Sequence, residues 1–327
     1  MIFGVRNLYL FFMKTASAFL RLIRYPNLIF IGLTQFLFYL AMIRPAFQAV
    51  GKIDPLDYFG TFLLMAASVL IAAGGYVIND YFDLNIDRIN KPNKLVVDLV
   101  IKRRWAILWH LGFSISGLLL SFVVSSMVEN YLLFICNTIT VILLWFYSTT
   151  FKKQLLSGNI IISLLTGWVI MVQYVAVTPI KIGIGNFEDI LLFRRLYKYA
   201  ILYAGFAFII SLIREVVKDM EDMEGDRRYG CNTMPIEWGI PSTRIFVSVW
   251  IIVLLGCLIV IQFYAFQLQW WWSVLYSVLF LILPLIKFFR LLAKASMTQD
   301  FHQLSTLLKW IMFSGILSML FFKWYNL

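Results

Sequence analysis

Acidic residues are scarce in this chain, and where they fall is the first sign of chemistry. Nine of its 17 Asp and Glu residues occupy two short windows. One window holds Asp80, Asp83 and Asp87; the other holds Glu215, Asp219, Glu221, Asp222, Glu224 and Asp226. Asp80, Asp83 and Asp87 are spaced i, i+3, i+7, and Asp219, Asp222 and Asp226 repeat that spacing. On a helix it sets three carboxylates on one face, where each like-charged pair costs a few tenths of a kcal/mol. A divalent cation between the faces reverses the sign. The donors are carboxylate oxygens plus the amide of Asn79, with no Cys or His among them, a hard set that favours Mg2+ as the cofactor. Basic residues interleave with the acids: Arg88, Lys91 and Lys94 after the first window, and Lys218, Arg227 and Arg228 in the second. A bare cation has no use for them. A metal–polyphosphate complex does, because Lys and Arg hold the oxygens that the metal does not reach.

These windows must be positioned by membrane helices. The 327 residues are 61% hydrophobic and only 14% charged, with a net charge of +11 and a mean hydropathy of +0.84. Soluble domains carry about 25% charged residues, so the composition excludes an ordinary water-soluble protein, a disordered chain and a disulfide scaffold. Nine apolar runs approach the ~20 residues that cross a bilayer as a helix: roughly 27–46, 59–79, 105–126, 130–148, 158–178, 197–214, 244–266, 271–290 and 304–323. No run alternates as a barrel strand does. The predicted fold is therefore all-α and polytopic, a single membrane domain over 1–327. Leu8–Met13 is too short for a cleaved signal, so residues 1–26 read as an interfacial segment leading into the first span.

Loop charge sets the orientation. Twenty Lys and Arg fall at the N-terminus and in loops 2–3, 4–5, 6–7 and 8–9, against seven on the other side. The positive-inside rule then predicts a cytoplasmic N-terminus, an external C-terminus and acid windows at the cytoplasmic ends of spans 2 and 6. The basic excess belongs to topology, and nucleic acid is not an expected partner. Trp270–Trp272 and Trp324–Tyr325 read as belts at the opposite interface. Cys136, Cys231 and Cys257 form no metal or disulfide pattern, and His110 and His302 are too far apart in sequence to suggest a site.

A polyphosphate site above apolar helices implies a lipid tail lying in the membrane. A prenyl diphosphate fits, with a lipophilic acceptor as second substrate. The metal and the basic residues stabilise departing diphosphate, and the dry interior protects an allylic cation-like centre from water.

Asn79-Asp80-Tyr81-Phe82-Asp83-Leu84-Asn85-Ile86-Asp87-Arg88-Ile89-Asn90-Lys91-Pro92 resembles the first aspartate-rich motif of UbiA-type intramembrane prenyltransferases, and Lys218–Asp226 resembles the second. Arg24-Tyr25-Pro26-Asn27 is similar to the start of the family's first helix, and Tyr147-Ser148 with Lys152 and Asn159 to its helix 4–5 region. The resemblance covers nearly the whole chain. It implies a nine-helix bundle around a central cavity, capped by loops 2–3 and 6–7. It implies that Asn79, Asp83 and Asp87 hold one Mg2+ and Asp219, Asp222 and Asp226 another. Asn79, Arg88, Lys91, Lys94, Lys152 and Lys218 would bind diphosphate, and Tyr147 would face the allylic carbon. Arg214-Glu215, Lys218–Asp226 and Thr233-Met234-Pro235-Ile236 look most like the branch that prenylates geranylgeranylglycerol phosphate in ether-lipid synthesis. The chain departs after Pro92: many members continue Arg-Pro, whereas Asn93, Lys94 and Leu95 follow here, and Lys94 offers a point charge in place of a bidentate fork. An aromatic acceptor in quinone synthesis is the alternative.

Two other classes compete. Ion-coupled transporters also carry intramembrane acids, but usually at mid-bilayer, whereas these acids cluster at helix ends. A phosphotransferase acting on CDP-alcohols requires an Asp-Gly…Ala-Arg signature that is missing before the later acids.

Overall fold

The computed structural model describes residues 15–90, 95–98, 100–179 and 187–325, and of Phe187 the backbone only. Lys91 and Lys94 lie outside the described residues, as do Leu8–Met13. Among the described residues nine helices are long and apolar enough to cross a membrane, and no strand is present, only an isolated bridge between Val97 and Ile101. The helices are α1 (Tyr25–Ala49), α2 (Asp57–Asn90), α3 (Arg103–Met127), α4 (Tyr131–Thr149), α5 (Ser157–Val177), α6 (Phe187–Arg228), α7 (Gly239–Gln267), α8 (Trp271–Lys294) and α9 (Thr298–Trp324).

Two helices are much longer than a bilayer requires. α2 has 34 residues and α6 has 42, so at 1.5 Å per residue α6 runs about 60 Å, twice the hydrocarbon thickness. Their last turns carry the two acid windows out of the apolar layer. α2 packs along α3, and α5 along α6; α6 also meets α7, α9 and α2, while α1 meets α2, α5 and α9. The helices bearing the acids therefore touch each other.

Lipid supplies no hydrophobic force between helices, so close backbone approach and polar ties hold the bundle. A Cβ on Gly117 of α3 would lie 2.8 Å from the side chain of Ile71, which is how closely α2 and α3 approach. Gln35 donates from Nε2 to Ser68 Oγ (2.9 Å) and to the Val169 carbonyl (3.0 Å), tying α1 to α2 and α5. Asn137 donates to Ser121 Oγ (2.8 Å) and accepts from Trp168 Nε1 (3.0 Å), tying α4 to α3 and α5. His110 is buried with Nδ1 2.9 Å from the Gly74 carbonyl, a structural place. Wide π turns at Tyr39–Ile43 and Val278–Ile282 precede Pro45 and Pro284, absorbing the hydrogen bonds that proline cannot donate.

The aromatic belts meet. The Trp270 ring, at the start of α8, stacks on Tyr325 with centroids 4.9 Å apart and planes 2° from parallel. The start of α8 and the end of α9 thus share one interface, at the end of the bundle opposite the acids.

Candidate active site

The first window occupies the last turns of α2. Asp83 is 5% exposed and Asp226, on α6, 7%, so these carboxylates are buried. Burial of a carboxylate requires partners. Asp83 accepts from Asn79 Nδ2 at 2.7 Å and pairs with the Lys152 ammonium. Lys152 stands on the short 3-10 turn Phe151–Lys153 between α4 and α5. That turn is pinned from the loop after α6, where Asn232 N–H donates to the Lys153 carbonyl at 2.8 Å. Burial opposes the charge on Lys152, but the Asp83 carboxylate and its hydrogen bond outweigh it and hold the ammonium above its ordinary range. Asp87 lies in the same field.

Asp80 turns another way. It forms an ion pair of 2.7 Å with Arg24, whose guanidinium sits 5.1 Å from the Tyr76 ring centre. Burial works against the Arg24 charge, and Asp80 with its hydrogen bond more than restores it. The i, i+3, i+7 triplet therefore splits: Asp80 pairs with Arg24 just before α1, while Asp83 pairs with the α4–α5 turn.

On α6, Asn159 of α5 donates to Asp219 Oδ2 at 2.7 Å. Glu215 is bracketed by Arg214 at 2.8 Å and Lys218 at 3.3 Å. The two windows are joined by Asn90, whose Nδ2 donates to the Asp222 carbonyl (2.8 Å) while its Oδ1 accepts from Gly225 N–H (2.8 Å). A Cβ at position 225 would lie 2.5 Å from Asn90 Oδ1, so only glycine leaves room for this staple. Tyr147, near the end of α4, lies within the electrostatic reach of Glu215 and Asp219 of α6 and of Asp83 and Lys152.

The structure thus brings Asn79, Asp83, Asp87, Tyr147, Lys152, Lys218, Asp219, Asp222 and Asp226 to one end of the bundle. Arg88 stands at the same end on the last turn of α2, exposed and paired with Asp98 at 3.1 Å. Arg24, Asn90, Asn159 and Glu215 join the site without having been assigned roles from sequence. Asn90 and Gly225 stand inside the quoted motifs, but a side chain that bonds backbone leaves no spacing to read.

The donors fit a magnesium ion. Asn79 Oδ1 is buried with no hydrogen-bond partner among the described residues, an amide oxygen of the hard type. Among the described residues no group of three or more Asp, Glu, His or Cys is close enough to hold a metal ion by itself, so water and phosphate oxygens would have to complete the shell of a bound Mg2+.

Residues 35–317 match the UbiA prenyltransferase family. The chain belongs to that family. It is an intramembrane prenyltransferase, and it spans most of the length of its relatives. It is 29% identical over 272 residues to the digeranylgeranylglyceryl phosphate synthase of Sulfurisphaera tokodaii, covering 83% of this chain and 88% of that one. It is 32% identical over 249 residues to the same enzyme of Sulfolobus acidocaldarius, covering 75% and 76%. Among solved structures, one reported for digeranylgeranylglyceryl phosphate synthase in membranes aligns at TM-score 0.61 and 27% identity over 94% of this chain and 97% of that one. A UbiA homologue from Archaeoglobus fulgidus, bound to GPP and Mg2+, aligns at TM-score 0.58 over 92% and 99%. At 15% identity that second likeness speaks for the fold alone.

Proposed function

We propose that this prenyltransferase moves a prenyl group from a prenyl diphosphate to the hydroxyl of a glycerol-based lipid phosphate, with Mg2+ as cofactor. The observation that carries the reading is the meeting of both acid windows around Lys152 and Tyr147, under the Asn90 staple. Asn79, Asp83 and Asp87 on one side and Asp219, Asp222 and Asp226 on the other would hold the metal. When bound, Mg2+ neutralises diphosphate charge and favours its departure.

The chain's own residues supply the rest. Lys152 and Lys218 hold diphosphate oxygens as cations that departure does not have to assemble. The Tyr147 ring faces the carbon that becomes cationic as the bond from carbon to diphosphate oxygen breaks. The acceptor hydroxyl forms the new carbon–oxygen bond, and its proton passes to the released diphosphate. The buried end turns keep water from competing for the cation.

The glycerol phosphate acceptor is supported by the names of the relatives. Competition tests this directly. Purified protein receives geranylgeranyl diphosphate, Mg2+, geranylgeranylglyceryl phosphate and 4-hydroxybenzoate together. The expected product is the doubly prenylated glyceryl phosphate. Prenylation of the aromatic acid alone overturns the acceptor and leaves prenyl transfer standing.

A further inference from the structure

The outer flank of the second acid window is held by a residue that prenyl transfer leaves unused. His302, on α9, has Nδ1 2.7 Å from Glu221 Oε1. An ionised carboxylate only accepts, so the imidazole donates. Glu221 stands between Asp219 and Asp222 on α6 but turns away from the site. At about 100° per residue it points about 160° from Asp219 and about 140° from Asp226. Its side chain is 13% exposed, against 56% for His302. A carboxylate so nearly covered needs a partner, and His302 supplies one.

The start of α9 is a firm anchor. Phe301 and Leu304 are buried and share one apolar cluster with Val217 and Met220 of α6. Asp300 accepts from the N–H groups of Ser296 and Met297, each at 2.9 Å, which closes the turn after α8. The Arg244 guanidinium of α7 donates to the Ala295 carbonyl in the same turn. The end of α6 is thus tied to α9 at Glu221, while Asn90 of α2 holds it through the Asp222 carbonyl and the Gly225 N–H. Two ties from different helices therefore meet on adjacent residues of α6.

We propose that His302 is a positioning residue for prenyl transfer. Through Glu221 it fixes the turn of α6 that carries Asp219 and Asp222, so those carboxylates are already ordered when the diphosphate complex arrives. Mg2+ demands near-ideal geometry, and a displacement of about 1 Å at a reacting site costs about a hundredfold. His302 itself touches neither substrate nor metal. This role presupposes the metal-dependent diphosphate site of the proposed function.

Two readouts test it. The first is hydrogen–deuterium exchange of the metal-free full chain without substrate. His302→Ala is expected to speed exchange at residues 219–228 by about tenfold, the scale of one lost charge-assisted hydrogen bond, with exchange elsewhere unchanged. The second is turnover against Mg2+. In His302→Ala the Mg2+ concentration giving half-maximal rate is expected to rise about tenfold, while the KM for geranylgeranyl diphosphate at saturating Mg2+ stays within about twofold of wild type. His302→Gln keeps an N–H donor and is expected to restore both readouts. Glu221→Ala is expected to reproduce the loss, and H302A/E221A to add nothing to it. Gln303→Ala, exposed on the same turn, is expected to behave as wild type. Unchanged exchange or unchanged Mg2+ dependence in His302→Ala overturns the role, as does a His302→Gln protein no better than His302→Ala. A lowered Tm with wild-type Mg2+ dependence leaves His302 a packing residue and overturns it too. Absence of metal-dependent diphosphate release by wild type overturns the proposed function itself, whereas metal-dependent release that His302→Ala leaves unchanged overturns the positioning role alone.

Discussion

Asp83 and Lys152 form an ion pair with the carboxylate buried, and such a pair contributes little net stability. Removing one partner of a buried pair strands a charge at a cost of about 3–5 kcal/mol, so Asp83→Ala confounds folding with catalysis. Asp83→Asn retains a hydrogen-bonding oxygen for Lys152 and removes only the negative charge. It is expected to lower turnover by about 10³-fold or more while the protein elutes as wild type on size exclusion; this magnitude is that of losing one group aimed at transition-state charge. Turnover within about tenfold of wild type counts against Asp83 as a metal ligand. Cys231 offers a test of burial at the same end. Burial, with Asp226 adding to it, pushes the thiol up to about 11. The thiolate is therefore absent near neutral pH, and iodoacetamide labelling of Cys231 is expected only as the pH rises toward that value. Rapid labelling near neutral pH contradicts the closed packing around Asp226.

At the scale of elements, α2 and α6 are two long rods whose acid-bearing ends are fixed relative to each other by Asn90. Asn90→Ala leaves Gly225 N–H and the Asp222 carbonyl without this partner, a loss of about 1–3 kcal/mol for each that stays buried. Gly225→Ala displaces the same side chain. The two changes are expected to be strongly non-additive in a double-mutant cycle read by turnover, since either removes one staple. Additive losses contradict it. The sequence foretold much here and missed much. Nine apolar runs and the repeated spacing of the acids were legible because membrane helices and like-charge repulsion both leave local signatures. The splitting of Asp80 from Asp83 was not, because it depends on Arg24 arriving from α1 and Lys152 from the α4–α5 turn. Asn159 on Asp219 and Asn90 on Gly225 are contacts between residues 60 and 135 positions apart, which no spacing rule reaches. Its place beside the motif assigns Arg88 to diphosphate, and the pairing of Arg88 with Asp98 of the following loop is a contact that the motif does not announce.

For the whole molecule, two chemically distinct ends are separated by an apolar layer: carboxylates with interleaved cations at one, and the stacked Trp270 and Tyr325 at the other. The loop charges predict that the acid end faces the cytoplasm. Starting from a variant lacking Cys136, Cys231 and Cys257, Lys102→Cys is expected to react with an impermeant maleimide only from the cytoplasmic side, and Gln269→Cys only from the external side. The reverse pattern inverts the orientation.

The account rests most on the two acid windows forming one metal-dependent diphosphate site. Single-turnover release of diphosphate from geranylgeranyl diphosphate, titrated with Mg2+ after chelation and compared between wild type, Asp83→Asn and Asp226→Asn, tests it most directly. The account predicts no release by the chelated wild type, recovery as Mg2+ is added, and near-complete loss in both variants despite intact folding. Metal-independent release, or wild-type turnover by a folded Asp226→Asn protein, contradicts it.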